Sequence, residues 1–461
     1  MGRGVVGLLA GAYVALRLLL ATTTCDPNDD VQQFKYWSLI LAHDGLGRVY
    51  ETPFYDYPPL YSYFLTPIGR LYTHLHPGVT SRLNDPDALA RLDDSTFFTV
   101  VVKLPPLLFD LAIAALLALL ARRSDPQETG GARSIPWLAA AAYLLNPAVL
   151  FNAGYWGQPD SVVAFFVLAA FAALGGGRRR AWLAWPLLAL ACTMKPLGAP
   201  FVPLLLVASL FLHGWRTTLL GALAGAGAAL LVYAPCLLAS GASRVAARLL
   251  RDVGVMGFTS VQAHNFWWIV GPWKNADAPW LGPITAKQVG LVLFAAFLVG
   301  LCVRLVRVAR ARRAGLDRSQ LLLLAGALAL GFFMLATHMH ENHAFAAIPL
   351  LIGALATAPA GNSARTELRL LVGAVSIGIL VNLVAHDPRL HQLWPLSAGG
   401  VADLAVDTPD HPLNVGEYVV GWLGTLWNVA ALAALGAFTF GSGLLRLAWR
   451  TPAAKAESVE A

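Results

Sequence analysis

Long apolar stretches recur along this chain, at 4–24, 97–121, 136–151, 160–175, 181–195, 197–213, 217–239, 287–303, 319–337, 344–359, 370–385 and 417–440. A helix of roughly 20 apolar residues crosses the ~30 Å of hydrocarbon in a bilayer. Lipid offers the backbone no hydrogen-bond partners, so a crossing segment of this kind pairs its own peptide groups as a helix. The expected fold is therefore an all-α polytopic membrane protein, a bundle of about twelve transmembrane helices (range about 10–13). Charged residues make up only 13% of the chain, against about 25% in soluble proteins. The segments 181–195 and 197–213 meet at Lys195-Pro196, and read either as two short spans or as one broken helix.

Basic residues set the expected sidedness. With the N-terminus cytoplasmic, 19 of the 33 lysines and arginines fall on the inner side, nearly all in short loops, where the positive-inside rule applies. Both termini are then cytoplasmic. The net charge of +7 follows from that retention and implies no nucleic-acid partner. The outer side carries large loops at about 25–96, 240–286 and 386–416. Two parts of them read as interfacial helices. In 30–41, Val31, Phe34, Trp37 and Leu41 share a helical face, and in 244–251 three arginines oppose Val245 and Leu249. Residues 1–450 read as a single domain and 451–461 as a disordered tail. Cys25, Cys192, Cys236 and Cys302 form no CxxC pair and read as packing residues. Arg17 and Asp110 lie inside apolar segments, where ionised groups are costly, and are expected to pair.

Polar and aromatic residues with chemical potential gather on the outer side. Asp29 and Asp30 follow the first span; either caps a helix or supplies a carboxylate that takes a proton from a hydroxyl. Asp56 and Tyr57 sit in Tyr-Asp-Tyr-Pro-Pro, a rigid turn or a surface for sugar rings. Trp156, Gln158 and Asp160 join two spans. Asp160 suits a helix cap, and Trp156 and Gln158 suit a cavity lining. Asn265 and Trp267 belong to a second aromatic-polar run, Gln262 to Trp268, which fits a carbohydrate surface or a membrane anchor. His338, His340, Glu341 and His343 crowd the outer end of a long span. Their spacing matches no recognised zinc pattern, whereas imidazole N–H groups donate well to phosphate. Lys195 adds positive charge there or simply snorkels.

With these residues in view, the chain resembles the GT-C superfamily of membrane glycosyltransferases, in particular the dolichyl- or polyprenyl-phosphate-glucose and -mannose dependent enzymes. Asp30 and Trp37 match an acid followed seven residues later by tryptophan in the first outer loop. Asp56 to Leu60, then Tyr63, match an Asp-Tyr-Pro-Pro-Leu-Thr-Ala-Tyr run. His338, His340 and Glu341 match a His-x-His-Glu-Lys run, and Asn342 departs from it where the family carries a cation. The Trp-Gly-Gln-Pro-Asp stretch and Lys195-Pro196 recur in bacterial relatives. The resemblance implies inverting transfer of a hexose, mannose or glucose, from a polyprenyl-phosphate sugar to a glycan, lipid or protein acceptor on the extracytoplasmic face. The protein would then sit in a plasma membrane of prokaryotic type. Asp30 would be the general base, with Asp29 as substitute. Trp37, Asp56, Tyr57, Trp156, Gln158, Asp160, Asn265 and Trp267 would line the sugar sites. His338, His340, Glu341, His343 and Lys195 would hold the donor phosphate. No metal or other cofactor is required by this chemistry, and a divalent cation is compatible with it. The competing expectation is a transporter or flippase of lipid-linked substrates, which needs no clustered outer acids and aromatics.

Overall fold

A computed structural model of the protein describes residues 3–22, 30–52, 55–82, 95–123, 136–255, 257–311, 316–359, 363–387 and 415–447. Asp29, the third expected outer loop beyond residue 387 and the C-terminal tail lie outside them. The main helices are α1 (Arg3–Ala21), α2 (Asp30–His43), α3 (Pro59–Leu75), α4 (Thr96–Val102), α5 (Leu104–Arg123), α6 (Pro136–Leu144), α7 (Asp160–Leu174), α8 (Ala184–Met194), α9 (Phe201–His213), α10 (Trp215–Ser240), α11 (Ala242–Val255), α12 (Ala286–Ala311), α13 (Arg318–Leu335), α14 (Ala347–Thr357), α15 (Ser363–Ala385) and α16 (Val415–Phe440). All twelve apolar stretches carry helix. Among the described residues seven helices are long and apolar enough to cross a membrane, or eight if α6 and the helical turns that follow it, bent by 53°, are one span. The bend lies at Asn146-Pro147. A residue before proline avoids the helical region, and Asn146 is extended, with its side-chain oxygen accepting from the Ala148 N–H at 3.0 Å.

Lys195 breaks the chain between α8 and α9 (φ −152°, ψ 145°). The turn Pro196–Gly198 folds back on α8 so closely that a Cβ on Gly198 would lie 2.7 Å from the Cys192 nitrogen. The chain is thus interrupted at Lys195-Pro196, and of the two pieces the one from Pro196 to His213 is long and apolar enough to cross a membrane.

Helix α13 runs through the centre, with 83% of its span buried, whereas α10 and α12 lie outside, at 11% and 17%. Leu231, Leu238, Leu291 and Val292 on those outer helices are 65–88% exposed. An apolar surface this continuous is unfavourable in water and is at home in lipid. The protein is a helical integral membrane protein.

Two packing features position the site. The first is the buried ion pair between Arg17 in α1 and Asp110 in α5, 2.8 Å apart, as their cost in lipid predicts. Tyr143 from α6 and Ser161 from α7 each donate to Asp110 Oδ1 at 2.6 Å, so one carboxylate ties four helices. The second is the close approach of α2 and α3, where a Cβ on Gly69 would fall 1.8 Å from the Ser38 carbonyl oxygen.

The interfacial reading of 30–41 needs correction. Val31, Phe34, Trp37 and Leu41 are buried as the periodicity predicts, but so are Lys35, Ser38, Leu39 and Ile40. Helix α2 is wedged among its neighbours and presents no continuous polar face. In α11, Arg244 pairs with Glu51 at 2.7 Å and Arg248 donates to the Thr52 carbonyl. At least two of its three arginines bind the first loop.

Candidate active site

The segment after the bend builds the floor of the site. Leu150–Trp156 is a π-helix that ends at Gly157, which is left-handed (φ 92°). A side chain there would be strained, and its Cβ would lie 2.8 Å from the Lys103 side chain. The N–H groups of Gly157 and Gln158 both bond the Asn152 carbonyl, at 2.9 and 3.0 Å. Pro159 follows as the N-cap of α7. Short π segments inside helical chains are common at functional sites.

From this floor Gln158 and Asp160 reach to residues far away in sequence. The Gln158 Nε2 donates to Asp30 Oδ2. Lys195 Nζ lies 3.4 Å from Gln158 Oε1 and 2.9 Å from Asp160 Oδ1. Asn342 donates to Asp160 Oδ2 at 2.8 Å, and Asn152 does so at 3.3 Å. The start of α2, the floor, the α8 end and the histidine turn thus meet in one polar cluster. Asp160 was expected as a helix cap. It is instead the first residue of α7 and makes side-chain bonds to a lysine and two amides. Lys195, whose position in the sequence suits either added positive charge at the donor or snorkelling, is ion-paired to Asp160, with both side chains largely buried.

An aromatic wall adjoins the cluster. Trp37 packs edge-on against Tyr55 at 4.8 Å and tilted against Tyr57 at 5.6 Å, and the Lys195 ammonium lies 5.3 Å from the Tyr57 ring centre. Burial, then the Asp56, Asp30 and Asp160 carboxylates, hold the Tyr57 phenol well above its usual range. It therefore stays a neutral hydroxyl. Asp56 is exposed, at the rim.

The histidine turn follows α13. His338 is left-handed (φ 62°) and its N–H bonds the Phe258 carbonyl at 3.0 Å. Next, β2 (Met339–His340) pairs in parallel with β1 (Ser260–Val261), which pins the second large loop to the turn. The His340 N–H donates to His343 Nδ1 at 3.2 Å, so the neutral His343 ring carries its proton on Nε2. Burial, then Lys195 and His338, push the His340 imidazole down to about 4. Burial, then His340 and Lys195, push His343 well below its ordinary value. Both rings are neutral N–H donors at neutral pH. His338 is lowered by burial and by Lys287, in the first turn of α12, and it also feels Asp277 of the second loop. Glu341 is fully buried, with Oε2 4.0 Å from His340 Nδ1.

Three expected sugar contacts are structural. Asn265 is fully buried. Its oxygen caps the short helix Phe266–Val270 through the Trp267 N–H at 3.0 Å, and its amide donates to the Phe333 carbonyl at 3.0 Å. Trp267 is also fully buried and donates to the Leu335 carbonyl at 2.8 Å. Both brace the loop on the end of α13. Trp156, 1% exposed, is packed inside and lines no open surface.

Sequence reasoning missed Asn152, because a π-helix changes the residue spacing that places it opposite Asp160. It also missed a buried Glu-His-His chain that ties the start of α16 to the second large loop. Glu417 Oε1 lies 2.8 Å from His386 Nδ1, and His386 Nε2 lies 3.1 Å from His264 Nε2. Among the described residues no group of three or more His, Cys, Asp or Glu side chains is arranged to hold a metal ion. Compared with known proteins, the sequence matches no family model and no curated protein.

Proposed function

We propose that the protein is an inverting glycosyltransferase that moves a hexose from a polyprenyl-phosphate donor to a hydroxyl acceptor at the extracytoplasmic face, with about twelve spans and cytoplasmic termini. The observation that supports this reading most is the junction of Asp30, through Gln158, to Lys195 and the turn bearing His340 and His343. A carboxylate and the proposed phosphate donors, which lie 165 to 313 residues further along the chain, belong to segments joined in one polar cluster.

In this mechanism the acceptor hydroxyl attacks the anomeric carbon and gives its proton to Asp30. The bond from that carbon to the phosphate oxygen breaks, and its electron pair leaves with the lipid phosphate. His340 and His343 donate neutral N–H bonds to the departing oxygens, and the Lys195 ammonium adds charge from its place beside Asp160. Preorganised donors of this kind stabilise developing charge without reorganisation. Asn342 stands where the resembled enzymes carry a cation, and here its amide is used on Asp160. The phosphate is therefore met mainly by neutral donors. The wall of Trp37, Tyr57 and Asp56 suits a hexose, since aromatic faces stack on sugar rings and a rim carboxylate accepts from their hydroxyls.

The test is transfer by the purified protein in lipid nanodiscs, with a panel of polyprenyl-phosphate sugars followed by mass spectrometry. Asp30→Asn should lower turnover by roughly 10²–10⁴-fold, the usual worth of a general base, with insertion and expression unchanged. An Asp30→Asn protein with near wild-type turnover removes the base assignment. Passage of a lipid-linked sugar across proteoliposome membranes without a new glycosidic bond replaces the enzyme by a transporter.

A further inference from the structure

We infer that Gln158 is a positioning residue whose side-chain amide fixes the Asp30 carboxylate in one orientation and couples it to the Lys195 ammonium. The chemistry of this inference rests on the proposed transfer reaction; its geometry does not.

The argument begins with donor and acceptor types. An ammonium only donates, and an ionised carboxylate only accepts. A primary amide has one end of each kind. Lys195 Nζ beside Gln158 Oε1 at 3.4 Å requires the carbonyl end to face the lysine. The NH₂ end is then turned to Asp30 Oδ2, as observed. A flipped amide would set NH₂ against the ammonium and carbonyl against the carboxylate, two repulsive contacts at once. The orientation is thus fixed by its neighbours. The contact also survives proton transfer, because a protonated carboxyl retains an acceptor oxygen.

The backbone is equally constrained. The Gln158 and Gly157 N–H groups share the Asn152 carbonyl, Pro159 restricts the next peptide, and Gln158 is 3% exposed. The arm is short, buried and held at both ends, which is what a residue that positions another group requires. The same ammonium lies beside the proposed phosphate donors. Gln158 therefore joins the base side and the leaving-group side into one rigid unit.

Two substitutions separate this role from simple packing. Gln158→Glu sets a second carboxylate against Asp30; two such groups do not both ionise readily, so the proton affinity of the pair rises. Gln158→Leu keeps the approximate volume and removes a donor that favours the charged form of Asp30. The first readout needs no activity. Carbodiimide with an amine couples only to protonated carboxyls, so the pH dependence of labelling at Asp30, read by peptide mass spectrometry on the full chain in nanodiscs, gives its titration midpoint. We expect the midpoint to rise by about one unit or more in Gln158→Glu and by a smaller amount in Gln158→Leu. The second readout is the pH–rate profile of transfer. Its acid limb should move with the labelling midpoint, and Gln158→Leu should lower kcat about tenfold or more with donor KM changed less than about threefold.

If either variant folds, as judged by its thermal transition and monodispersity, and its Asp30 midpoint stays at the wild-type value, the inference is overturned. If labelling moves as expected but no glycosidic bond is ever made, the positioning geometry stands and the transferase reading fails. If transfer proceeds and neither labelling nor the pH profile responds to Gln158, the reverse holds.

Discussion

Removal of the Asp110 carboxylate should cost more than any other single change to the bundle core. Asp110 and Arg17 are 0% and 4% exposed, and the carboxylate also accepts from Tyr143 and Ser161. Asp110→Ala leaves the Arg17 guanidinium buried without a counter-charge, and breaking a buried pair in this way costs about 3–5 kcal/mol. The two hydroxyls lose a charged acceptor, each bond of that type being worth about 1.5–3 kcal/mol. The terms share one carboxylate and do not add fully, so about 4–5 kcal/mol is expected, roughly a thousandfold in the folding constant. The sign differs for the double replacement Arg17→Met with Asp110→Leu. It removes both charges and fills the space, and such swaps are often neutral or stabilising. Unfolding of the nanodisc- or micelle-held protein by SDS titration would measure both. Arg17 also donates to the Val149 carbonyl at 3.3 Å and lies against Gly154, so the same change should loosen the turn that carries Trp156. A single variant that loses less than about 1 kcal/mol, or a double variant no better than the single, would refute the claim that this pair organises the bundle. Ser161 adjoins Asp160, so the single variant should also lose activity through displacement of the floor.

Other perturbations test the site and its supports. His264, His340 and His343 all titrate below their ordinary value, chiefly because they are buried. The fold keeps them neutral while the unfolded chain charges them near pH 6.5, so their contribution is whole above that pH and is lost as pH falls, to about 4 for His340. Thermal unfolding recorded from pH 7.5 to 4.5 should show stability dropping by up to about 1.4 kcal/mol per pH unit for each such histidine, and a flat profile would contradict the burial of the three rings. Lys195→Met should destabilise by about 3–5 kcal/mol, because Asp160 would keep only amide partners, and adding Asp160→Asn should restore most of the loss in the same titration without restoring transfer. Gly69→Val should cost at least 1–3 kcal/mol, as overpacking does, since the clash is with the Ser38 backbone rather than a movable side chain; normal thermal stability of that variant would show that α2 and α3 are not in contact there.

What could be read before the structure was whatever depends on the price of burying polarity. Twelve apolar runs had to be helices, and Arg17 and Asp110, alone in lipid, had to find each other. Lys195-Pro196 had to interrupt its helix, because proline disfavours helical geometry in the residue before it. What was illegible depends on local geometry that leaves no periodic trace. The π-helix 150–156 shifts its side chains off the 3.6-residue spacing, so Asn152 gave no sign of facing Asp160. Helix α2 was misread as interfacial because an apolar stripe at Val31, Phe34, Trp37 and Leu41 says nothing about the opposite face; there Gly69 lets α3 come close enough to bury Ser38 and its neighbours. The run Gln262–Trp268 offered the same aromatic and amide groups that a sugar surface would. The difference lies in where its polar atoms end: Asn265 and Trp267 donate to the carbonyls of Phe333 and Leu335, and Asn428 donates to the His264 carbonyl. Those carbonyls close or flank helices and need donors of their own. An aromatic-polar cluster whose donors answer helix ends is a brace; one in which a lysine and three side-chain amides converge from distant segments on two carboxylates is the arrangement a reaction site needs. The first pattern belongs to residues 265–267 and the second to residues 30, 158, 160, 195 and 342, a distinction carried by the partners rather than by the residue types.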